Sequence, residues 1–397
     1  MPDRPYLVTV TGQDGPGIAE RLFAVLARRG VAVHDVEQVR VHGRLLLCLE
    51  VESPAGPDGL ATDLANGLAG VPVKVTVAPL LEKEADPGEE HSLVTVLAPE
   101  IDAGTLEGVT GRISRCAGNI ERIVRLSAYP VHCYELAVAG GDLVRLRRDL
   151  ADEAVRSQVD IAVQLAGLHR RAKHLIVLDA DSTLLQGEVI DLLAERAGGG
   201  AQVAALTEAA VAGRLDFESA LRQRVRLLAG LEQADLDAVT RSIILTPGAR
   251  TLVRTLKRLG YELAVVSGGF TQVIAGLVVE LGIDHMVANV LALHDGVLTG
   301  ELEGPIIDRA GKAEALVRFA ALAGVPLSRT IAVGDGANDI DMLAVAGLGI
   351  AFNARPLVRQ AADTALSVPY LDAILFLLGI SRREVERADQ MEQAEAQ

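Results

Sequence analysis

The chain has 397 residues, of which half are hydrophobic and 3% aromatic, and its formal net charge at pH 7 is −15. This length suggests two to four domains of roughly 100–200 residues, and the aliphatic content excludes a disordered chain. The negative charge disfavours nucleic acid as a partner. The longest apolar run falls well short of the roughly 20 residues that a membrane span needs, so we expect a cytoplasmic protein.

The amino-terminal part of the chain repeats itself, since the run LVTV at residues 7–10 recurs at residues 93–96. Each copy has the pattern strand, helix, strand, strand, helix, strand. The predicted strands cover residues 7–10, 31–39, 45–51, 71–77, 93–97, 120–127, 131–139 and 159–165. The predicted helices cover residues 18–30, 60–68, 106–116 and 143–155. The acidic run at residues 82–90 indicates an exposed linker between the copies.

From residue 174 onward the pattern changes to apolar runs typical of buried parallel strands, each next to a segment of helical periodicity. The strand runs lie at residues 175–178, 263–266, 331–333 and 349–352. They predict an α/β fold, a Rossmann-like doubly wound parallel sheet with helices on both faces. We therefore predict two βαββαβ α+β domains at residues 1–81 and 91–168, followed by an α/β domain at residues 172–385.

Three further segments of the α/β domain carry local signals. The stretch from about residue 186 to 244 is rich in Ala, Leu, Arg and Glu and lacks a strand pattern, which predicts a helical cap insertion. Asp295-Gly296 lies between two apolar runs and predicts a two-residue β-hairpin. The polar, acidic tail after Ser381 is expected to fray.

Residues suited to chemistry or to ligand binding follow three of the predicted strands, and another such residue lies at a predicted helix start. Because ligands of such sheets bind outside the carboxyl ends of the strands, we expect these residues to meet in one crevice. Those of the strand ends are Asp179, Asp181, Ser267, Gly268, Asp335, Asn338 and Asp339, and that of the helix start is Lys312. Each motif alone is compatible with a turn or a helix cap, but the four in this order indicate a functional site.

This set of residues is suited to phosphoryl transfer. One carboxylate of the pair Asp179 and Asp181 can attack phosphorus while the other exchanges protons with the leaving group and then with water. A carboxylate and a phosphate repel each other, so a divalent cation is needed, and hard oxygen ligands favour Mg²⁺. Lys312 and the Ser267 hydroxyl can neutralise and hold phosphate oxygens. The chain contains neither a P-loop motif nor a dinucleotide-binding glycine motif.

The motifs between residues 175 and 378 resemble those of the haloacid dehalogenase superfamily and, within it, the phosphoserine phosphatase family. The resemblance implies that Asp179 becomes phosphorylated and that Asp181 acts as general acid and then as general base. It implies Mg²⁺ on the carboxylates of Asp179 and Asp335 and on the backbone carbonyl of Asp181, with Asp339 in support. It also implies contacts to phosphate or bound substrate from Ser267, Gly268, Lys312 and Asn338.

The cap insertion carries the part of the resemblance that concerns the substrate, O-phospho-L-serine. The resemblance implies that Arg224 pairs with the substrate carboxylate, that Glu188 pairs with its ammonium group, and that Phe217 is a further contact. A fixed cation and a fixed anion suit the two charges of an amino-acid phosphate. One position departs from the family, because Val211 stands where the family usually has Met.

The two amino-terminal copies resemble ACT domains, which bind amino acids at paired interfaces. In the first copy the turn that contains Asp14, Gly15 and Gly17 matches the ligand-side loop of that family, and Gly104 and Gly108 are the candidates in the second. The resemblance implies regulation by L-serine and a homodimer formed through these domains. A turn that binds no ligand remains an alternative for each copy.

We therefore expect a magnesium-dependent hydrolase that converts O-phospho-L-serine to L-serine and phosphate through an aspartyl-phosphate, the last step of L-serine biosynthesis. Three alternatives remain open. The first is a phosphatase for another small phosphomonoester, and the second is a phosphotransferase that passes phosphate to an alcohol. The third is an amino-acid-sensing module whose hydrolase half is inactive.

Overall fold

The computed structural model describes residues 5–53, 56–80, 91–167, 170, 172–212 and 214–395, without the side chain of residue 211. The chain divides into two compact units, Met1–Pro87 and Gly88–Gln397. The linker predicted at residues 82–90 lies outside the described residues. Over the ranges that are described, no helix is both long enough and apolar enough to cross a membrane.

The first unit is a four-stranded antiparallel sheet with two helices packed on one face. The strand order is β2-β3-β1-β4. Alternate residues of the two inner strands, such as Val8 and Leu49, are fully buried against Leu22 and Leu60 of the helices. The elements are β1 (Pro5–Gln13), α1 (Ile18–Arg28), β2 (Ala32–Val41), β3 (Arg44–Glu52), α2 (Gly56–Gly67) and β4 (Val73–Pro79).

The second unit begins with a domain of the same topology, in which the strand order is β6-β7-β5-β8. The repeated LVTV run therefore lies in the inner strands β1 and β5, where Val94 and Val96 are as fully buried as Val8 and Val10. The predicted duplication of a βαββαβ fold is confirmed. The elements are β5 (His91–Ala98), α3 (Ala103–Arg115), β6 (Asn119–Ser127), β7 (His132–Ala139), α4 (Leu143–Ser157) and β8 (Asp160–Leu165).

The rest of the second unit is a seven-stranded sheet with the order β12-β11-β10-β9-β13-β14-β15. The central strand β9 pairs in parallel with β10 and β13, which confirms the doubly wound prediction. The hairpin predicted at Asp295-Gly296 joins the antiparallel strands β11 and β12. The strands are β9 (Leu175–Asp179), β10 (Glu262–Phe270), β11 (His285–His294), β12 (Val297–Glu303), β13 (Thr330–Gly334), β14 (Gly349–Phe352) and β15 (Thr364–Leu366).

Helices cover this sheet and form the cap predicted between its first two strands. The cap helices are α5 (Val189–Arg196), α6 (Gly200–Val211), α7 (Phe217–Arg226) and α8 (Gln233–Ser242). The helices that follow are α9 (Ala249–Arg258), α10 (Thr271–Leu281), α11 (Arg309–Leu322), α12 (Ile340–Val345), α13 (Pro356–Ala361), α14 (Ile374–Leu377) and α15 (Arg382–Glu395). The two ends of the cap lie side by side, because the Gln186 amide donates to the Ile244 carbonyl at 2.8 Å.

The expectation that the tail after Ser381 frays is wrong, because residues Arg382–Glu395 form helix α15. Two arginines of α9 hold this helix. Arg254 and Arg258 both pair with Asp389, each at 2.5 Å, and the side chain of Val385 in α15 is buried. Two of the acidic residues that suggested a solvated tail, Asp389 and Glu392, are thus the partners of a basic helix far away in sequence.

The second βαββαβ domain is joined to the α/β domain by buried polar contacts. Arg170 donates to the Leu377 carbonyl at 2.9 Å and forms an ion pair with Glu135 of β7 at 2.5 Å, and both side chains are buried. The Asp160 carboxylate at the start of β8 accepts a hydrogen bond from the Ser367 amide at 2.5 Å. These contacts explain why the second copy belongs to the larger compact unit.

The Arg170–Glu135 ion pair predicts a stability effect. Replacing Arg170 by Ala leaves the buried Glu135 carboxylate without its ion pair, so we expect a loss of about 3 kcal/mol in the free energy of unfolding, measured by urea denaturation. Arg122 is the matched control, because it lies 4.0 Å from Glu135 with its side chain 65% exposed. Arg122→Ala should cost less than about 1 kcal/mol. Equal effects of the two variants would contradict this interpretation.

Candidate active site

The turn after strand β9 places two carboxyl groups at the same edge of the sheet. The Asp179 carboxylate accepts a hydrogen bond from the Ala180 amide at 2.8 Å. The Asp181 carboxylate accepts one from the Val189 amide at 2.8 Å and one from the Ser267 hydroxyl at 3.0 Å. Both side chains are buried. The start of cap helix α5 and the end of β10 therefore hold Asp181 from two sides.

Lys312 supplies the positive charge of this cluster. Its ammonium group donates to the carboxylates of Asp179 and Asp339, each at 2.7 Å, and its side chain is 1% exposed. Lys312 lies in the first turn of α11, whose N-cap Asp308 accepts from the Gly311 amide at 2.8 Å. The capped helix start thus directs a buried lysine at the end of β9.

Three carboxylates could together hold a metal ion. Asp179, Asp335 and Asp339 each offer an oxygen, and these oxygens lie within 4.8 Å of one another. The Thr183 hydroxyl donates to Asp335 at 3.3 Å, and the Gly336 amide donates to Asp339 at 2.9 Å. A compact set of hard oxygen donors suits Mg²⁺ better than a soft transition metal.

The pKa values in the cluster follow from burial and from the crowding of negative charge. Burial, followed by repulsion from Asp339, raises the pKa of Asp179 well above its ordinary value, although Lys312 opposes the shift. The same two causes raise the pKa of Asp335 to about 6. Burial raises the pKa of Asp181, while the hydrogen bonds from Val189 and Ser267 oppose it. The cluster therefore favours a cation or a proton.

The cap contributes an anion and a cation to the same cavity. Glu188 accepts a hydrogen bond from the Ser182 hydroxyl at 3.2 Å, and burial, with the charges of Asp181 and Asp335, raises its pKa to about 7. Arg224 donates to the Thr207 hydroxyl at 3.3 Å. The lining residues are Asp179, Asp181, Glu188, Ile190, Phe217, Leu221, Arg224, Gly268, Gly269, Lys312, Asp335, Gly336 and Asn338.

The loop after the apolar core of β10 approaches Asp181 closely. The Gly269 amide donates to the Ser267 hydroxyl at 2.7 Å. A Cβ atom on Gly269 would lie 2.7 Å from the nearer Asp181 oxygen, so only glycine fits there. Gly268 follows Ser267 and faces the cavity beside Phe217 of the cap.

The structure brings every candidate of the α/β domain into one site. Of these candidates, Ser267 and Asp339 bind cavity residues rather than lining the cavity themselves. Sequence reasoning missed the lining residues Ile190, Leu221, Gly269 and Gly336. The two glycines adjoin motif residues and could have been inferred, but apolar positions on helices are indistinguishable from core positions. The side chain of residue 211, the departure from the family, lies outside the described residues.

The regulatory candidates lie in the two βαββαβ domains. In the first, Asp14 pairs with Arg40 at 2.8 Å, and Gly15 and Gly17 follow in the turn before α1. In the second, Gly104 lies in the first turn of α3. Gly108 is buried where α3 packs on α4, because its Cβ position would meet the Glu153 and Arg156 side chains, so helix α4 covers it.

Comparisons with protein families match the three parts of the chain. The family model of haloacid dehalogenase-like hydrolases matches residues 176–344, and two ACT domain models match residues 4–74 and 90–164. A phosphoserine phosphatase of Streptomyces coelicolor is 52% identical over 385 residues, which are 96% of this chain and 94% of the relative. Phosphoserine phosphatase SerB2 of Mycobacterium tuberculosis is 48% identical over 393 residues, 96% and 95% of the two chains.

Solved structures show the same architecture. A haloacid dehalogenase family hydrolase from Salmonella enterica has a TM-score of 0.64 at 28% identity and covers 72% of this chain and 98% of its own. A probable phosphoserine phosphatase from Vibrio cholerae, in unliganded form, has a TM-score of 0.58 at 30% identity. That match covers 74% of this chain and 88% of the other.

Because the carboxylates are crowded, we expect Asp335→Asn to stabilise the fold without metal and to reduce the stabilisation by Mg²⁺. Asp335→Asn removes one of the repelling charges, so in chelator at pH 7 the free energy of unfolding should rise by about 2 kcal/mol. The same variant should lose most of the stabilisation that millimolar Mg²⁺ confers on the original chain. Thermal and urea unfolding with EDTA or MgCl₂ measure both effects.

Asp341 is the control for this pair of measurements, because it is 43% exposed and pairs with Arg309 at the surface. Asp341→Asn should keep the full response to Mg²⁺. An Asp335→Asn variant that gains as much from Mg²⁺ as the control would exclude Asp335 as a metal ligand.

Proposed function

The chain belongs to the phosphoserine phosphatase family of haloacid dehalogenase-like hydrolases that carry ACT domains, and from this premise we propose how its own residues perform the reaction. The family relationship assigns the reaction type, the hydrolysis of O-phospho-L-serine to L-serine and phosphate. The residue assignments rest on one observation, which is that two pairs of side chains line the same cavity. One pair lies at the end of β9 and the other in the cap, and they are Asp179 with Asp181 and Glu188 with Arg224.

Asp179 is the nucleophile of the first step. One of its carboxylate oxygens forms a bond to phosphorus while the bond between phosphorus and the serine oxygen breaks. The leaving serine oxygen takes the proton of Asp181, whose raised pKa supports its role as the acid. The products of this step are serine, an aspartyl-phosphate at Asp179 and an ionised Asp181.

Asp181 reverses its role in the second step. Its carboxylate takes a proton from a water molecule as the water oxygen bonds to phosphorus, and the bond between phosphorus and the Asp179 oxygen breaks. Phosphate leaves, and both aspartates return to their starting protonation. The hydrogen bonds from Val189 and Ser267 support this cycle because they hold Asp181 in one orientation in both protonation states.

The phosphate group or the bound substrate is contacted by Lys312, Gly268 and Asn338, which line the cavity, whereas Ser267 acts through its hydrogen bond to Asp181. Lys312 favours the ionised form of Asp179 against the effect of its burial, and its charge also offsets that of the phosphate. Asp179, Asp335 and the Asp181 backbone carbonyl would hold Mg²⁺, with Asp339 in support. When bound, Mg²⁺ neutralises the negative charge that phosphate brings to these carboxylates.

The cap selects the serine part of the substrate. Arg224 pairs with the substrate carboxylate, Glu188 with its ammonium group, and Phe217 packs against the rest. Burial lowers the pKa of Arg224, while the charges of Glu188 and Asp191 oppose the shift, so the guanidinium stays charged and ready for an anion. A sugar phosphate carries neither of the two charges that this pair would bind.

The ACT domains provide regulation and assembly in this proposal. L-Serine binds the turn of Asp14, Gly15 and Gly17, with a weaker second site near Gly104 and none at Gly108, which α4 covers, and the enzyme works in the cytoplasm as a homodimer. Exposed apolar residues of the first domain support the pairing. Val39 and Val41 of the edge strand β2 and Leu46 of β3 share the sheet face opposite the helices and are 44–57% exposed.

Release of phosphate from O-phospho-L-serine tests the reaction and its nucleophile. We expect turnover only with Mg²⁺, and we expect Asp179→Asn to lower kcat at least about a thousandfold, because the amide keeps the shape but lacks the attacking charge. Asp341→Asn should retain full activity. An active Asp179→Asn variant would remove Asp179 as the nucleophile.

A substrate analogue without the carboxylate tests the role of Arg224 in the cap. For Arg224→Gln we expect kcat/KM for O-phospho-L-serine to fall about a hundredfold, because a charge-assisted pair with the carboxylate is lost. O-Phosphoethanolamine lacks that carboxylate, so the same variant should change its kcat/KM less than about threefold. Arg222, which pairs with Glu218 on the outer side of the same helix, gives the control Arg222→Gln. A similar loss on both substrates would mean that Arg224 only supports the cap.

A further inference from the structure

Asn289 is a buried polar residue outside the cavity whose amide joins two separate parts of the phosphate side. It lies in the middle of β11 and is 1% exposed. Its amide nitrogen donates to the Gly268 carbonyl at 2.8 Å, and its amide oxygen accepts from the Ile307 amide at 2.9 Å. A carbonyl can only accept and an amide N–H can only donate, so the two partners define the orientation of the side chain.

The two partners of Asn289 belong to the two segments that carry phosphate-binding groups. Gly268 follows Ser267 at the end of β10 and lines the cavity. Ile307 directly precedes Asp308, the N-cap of α11, and Lys312 lies in the first turn of that helix. The Asn289 side chain is therefore a two-bond bridge between the glycine loop and the start of the lysine helix.

Within the described part of the chain, neither Gly268 nor the segment before α11 has a regular strand pairing of its own that would set this spacing. The pairing of β10 with β11 is interrupted between Val266, which pairs with Val287, and Phe270, which pairs with Asn289, so Gly268 lies in an irregular stretch between two paired residues. The segment between the end of β12 and the start of α11 has no strand partner among the described residues. Hydrogen bonds from one rigid, buried amide can replace the missing ladder there.

We propose that Asn289 is a positioning residue for phosphate, which sets the distance between Gly268 and the Lys312 helix. The inference rests on the proposed function, because it takes Gly268 and Lys312 as phosphate contacts. Asn289 does not line the cavity, so it carries out no chemical step. Its loss should weaken the binding of phosphate and leave the cap contacts of the serine part intact.

Binding of the two products separates these effects. In Asn289→Leu, which keeps the volume, and in Asn289→Ala, the Gly268 carbonyl and the Ile307 amide lose their partner. We expect the Kd of inorganic phosphate for the Mg²⁺-loaded full chain, measured by calorimetry, to rise about tenfold. The Kd of L-serine for the same Mg²⁺-loaded chain, also measured by calorimetry, should change less than about twofold, because serine has no phosphate group.

Gln272 of α10 offers a matched control, because its side chain binds the same strand as Asn289. Its side-chain amide donates to the Leu291 carbonyl at 2.7 Å and accepts from the Leu291 amide at 3.2 Å, two residues beyond Asn289. Gln272 ties α10 to β11 but contacts neither phosphate segment. Gln272→Met removes the same two kinds of hydrogen bond, and the Kd of phosphate should stay within about twofold of the original.

Three outcomes would overturn the inference. In the first, the binding of phosphate and the binding of serine weaken by the same factor in the Asn289 variants. In the second, Gln272→Met raises the Kd of phosphate as much as the Asn289 variants do. In the third, circular dichroism shows that neither Asn289 variant folds, which would make Asn289 a residue of the general core. Calorimetry with phosphate requires no turnover. A chain that binds phosphate in this pattern but does not cleave O-phospho-L-serine would therefore contradict the proposed function and leave the role of Asn289 standing.

Discussion

The ammonium group of Lys312 lies at 2.7 Å from both Asp179 and Asp339, and all three side chains are buried at the end of the central strand. Burial of so many carboxylates is unfavourable, and a single lysine cannot balance them. The excess negative charge is useful because it attracts a cation, and the cation and the lysine can then attract a phosphate. The features that surround the cluster, from the capped start of α11 to the glycine loop, orient this charge.

The site divides its work between the sheet and the cap. The sheet side carries the groups for phosphorus chemistry, and the cap carries the charged pair proposed to recognise serine. The two sides meet at the cap ends, where the Thr246 hydroxyl donates to the Thr183 carbonyl at 2.7 Å and the Thr183 hydroxyl donates to Asp335. Thr183 therefore links the end of the cap to Asp335, one of the three carboxylates that could hold a metal ion.

The two ACT domains share one topology but differ in the contacts that they make with the rest of the chain. Both use the same strand order and bury the same repeated valines. The second copy is built into the catalytic unit through Arg170 and Asp160, which bind backbone groups of the segment from residue 367 to 377. The first copy forms a compact unit of its own, and the exposed valines of its edge strand suit an interaction with another protein surface.

Much of this protein is determined by the local sequence. Alternating and helical patterns of apolar residues predicted both βαββαβ domains and the parallel sheet, because burial on one face leaves a periodic trace. The Asp295-Gly296 turn predicted the hairpin, and the long stretch without a strand pattern predicted the cap. The reactive motifs were predictable because they directly follow buried strands or open a helix. The tail after Ser381 was misjudged because its acidic residues resemble those of a solvated segment, while their arginine partners lie about 130 residues earlier.

Only the tertiary structure decides which distant groups share a charge or a hydrogen bond. Lys312 reaches Asp179 across 133 residues, and the bridge through Asn289 joins segments that no sequence pattern connects. An asparagine in an apolar strand looks unremarkable in sequence, since its two partners are backbone groups and leave no side-chain signature. Periodicity reports whether a residue is buried, whereas its partner depends on the order in which strands pair, and that order is a property of the folded sheet.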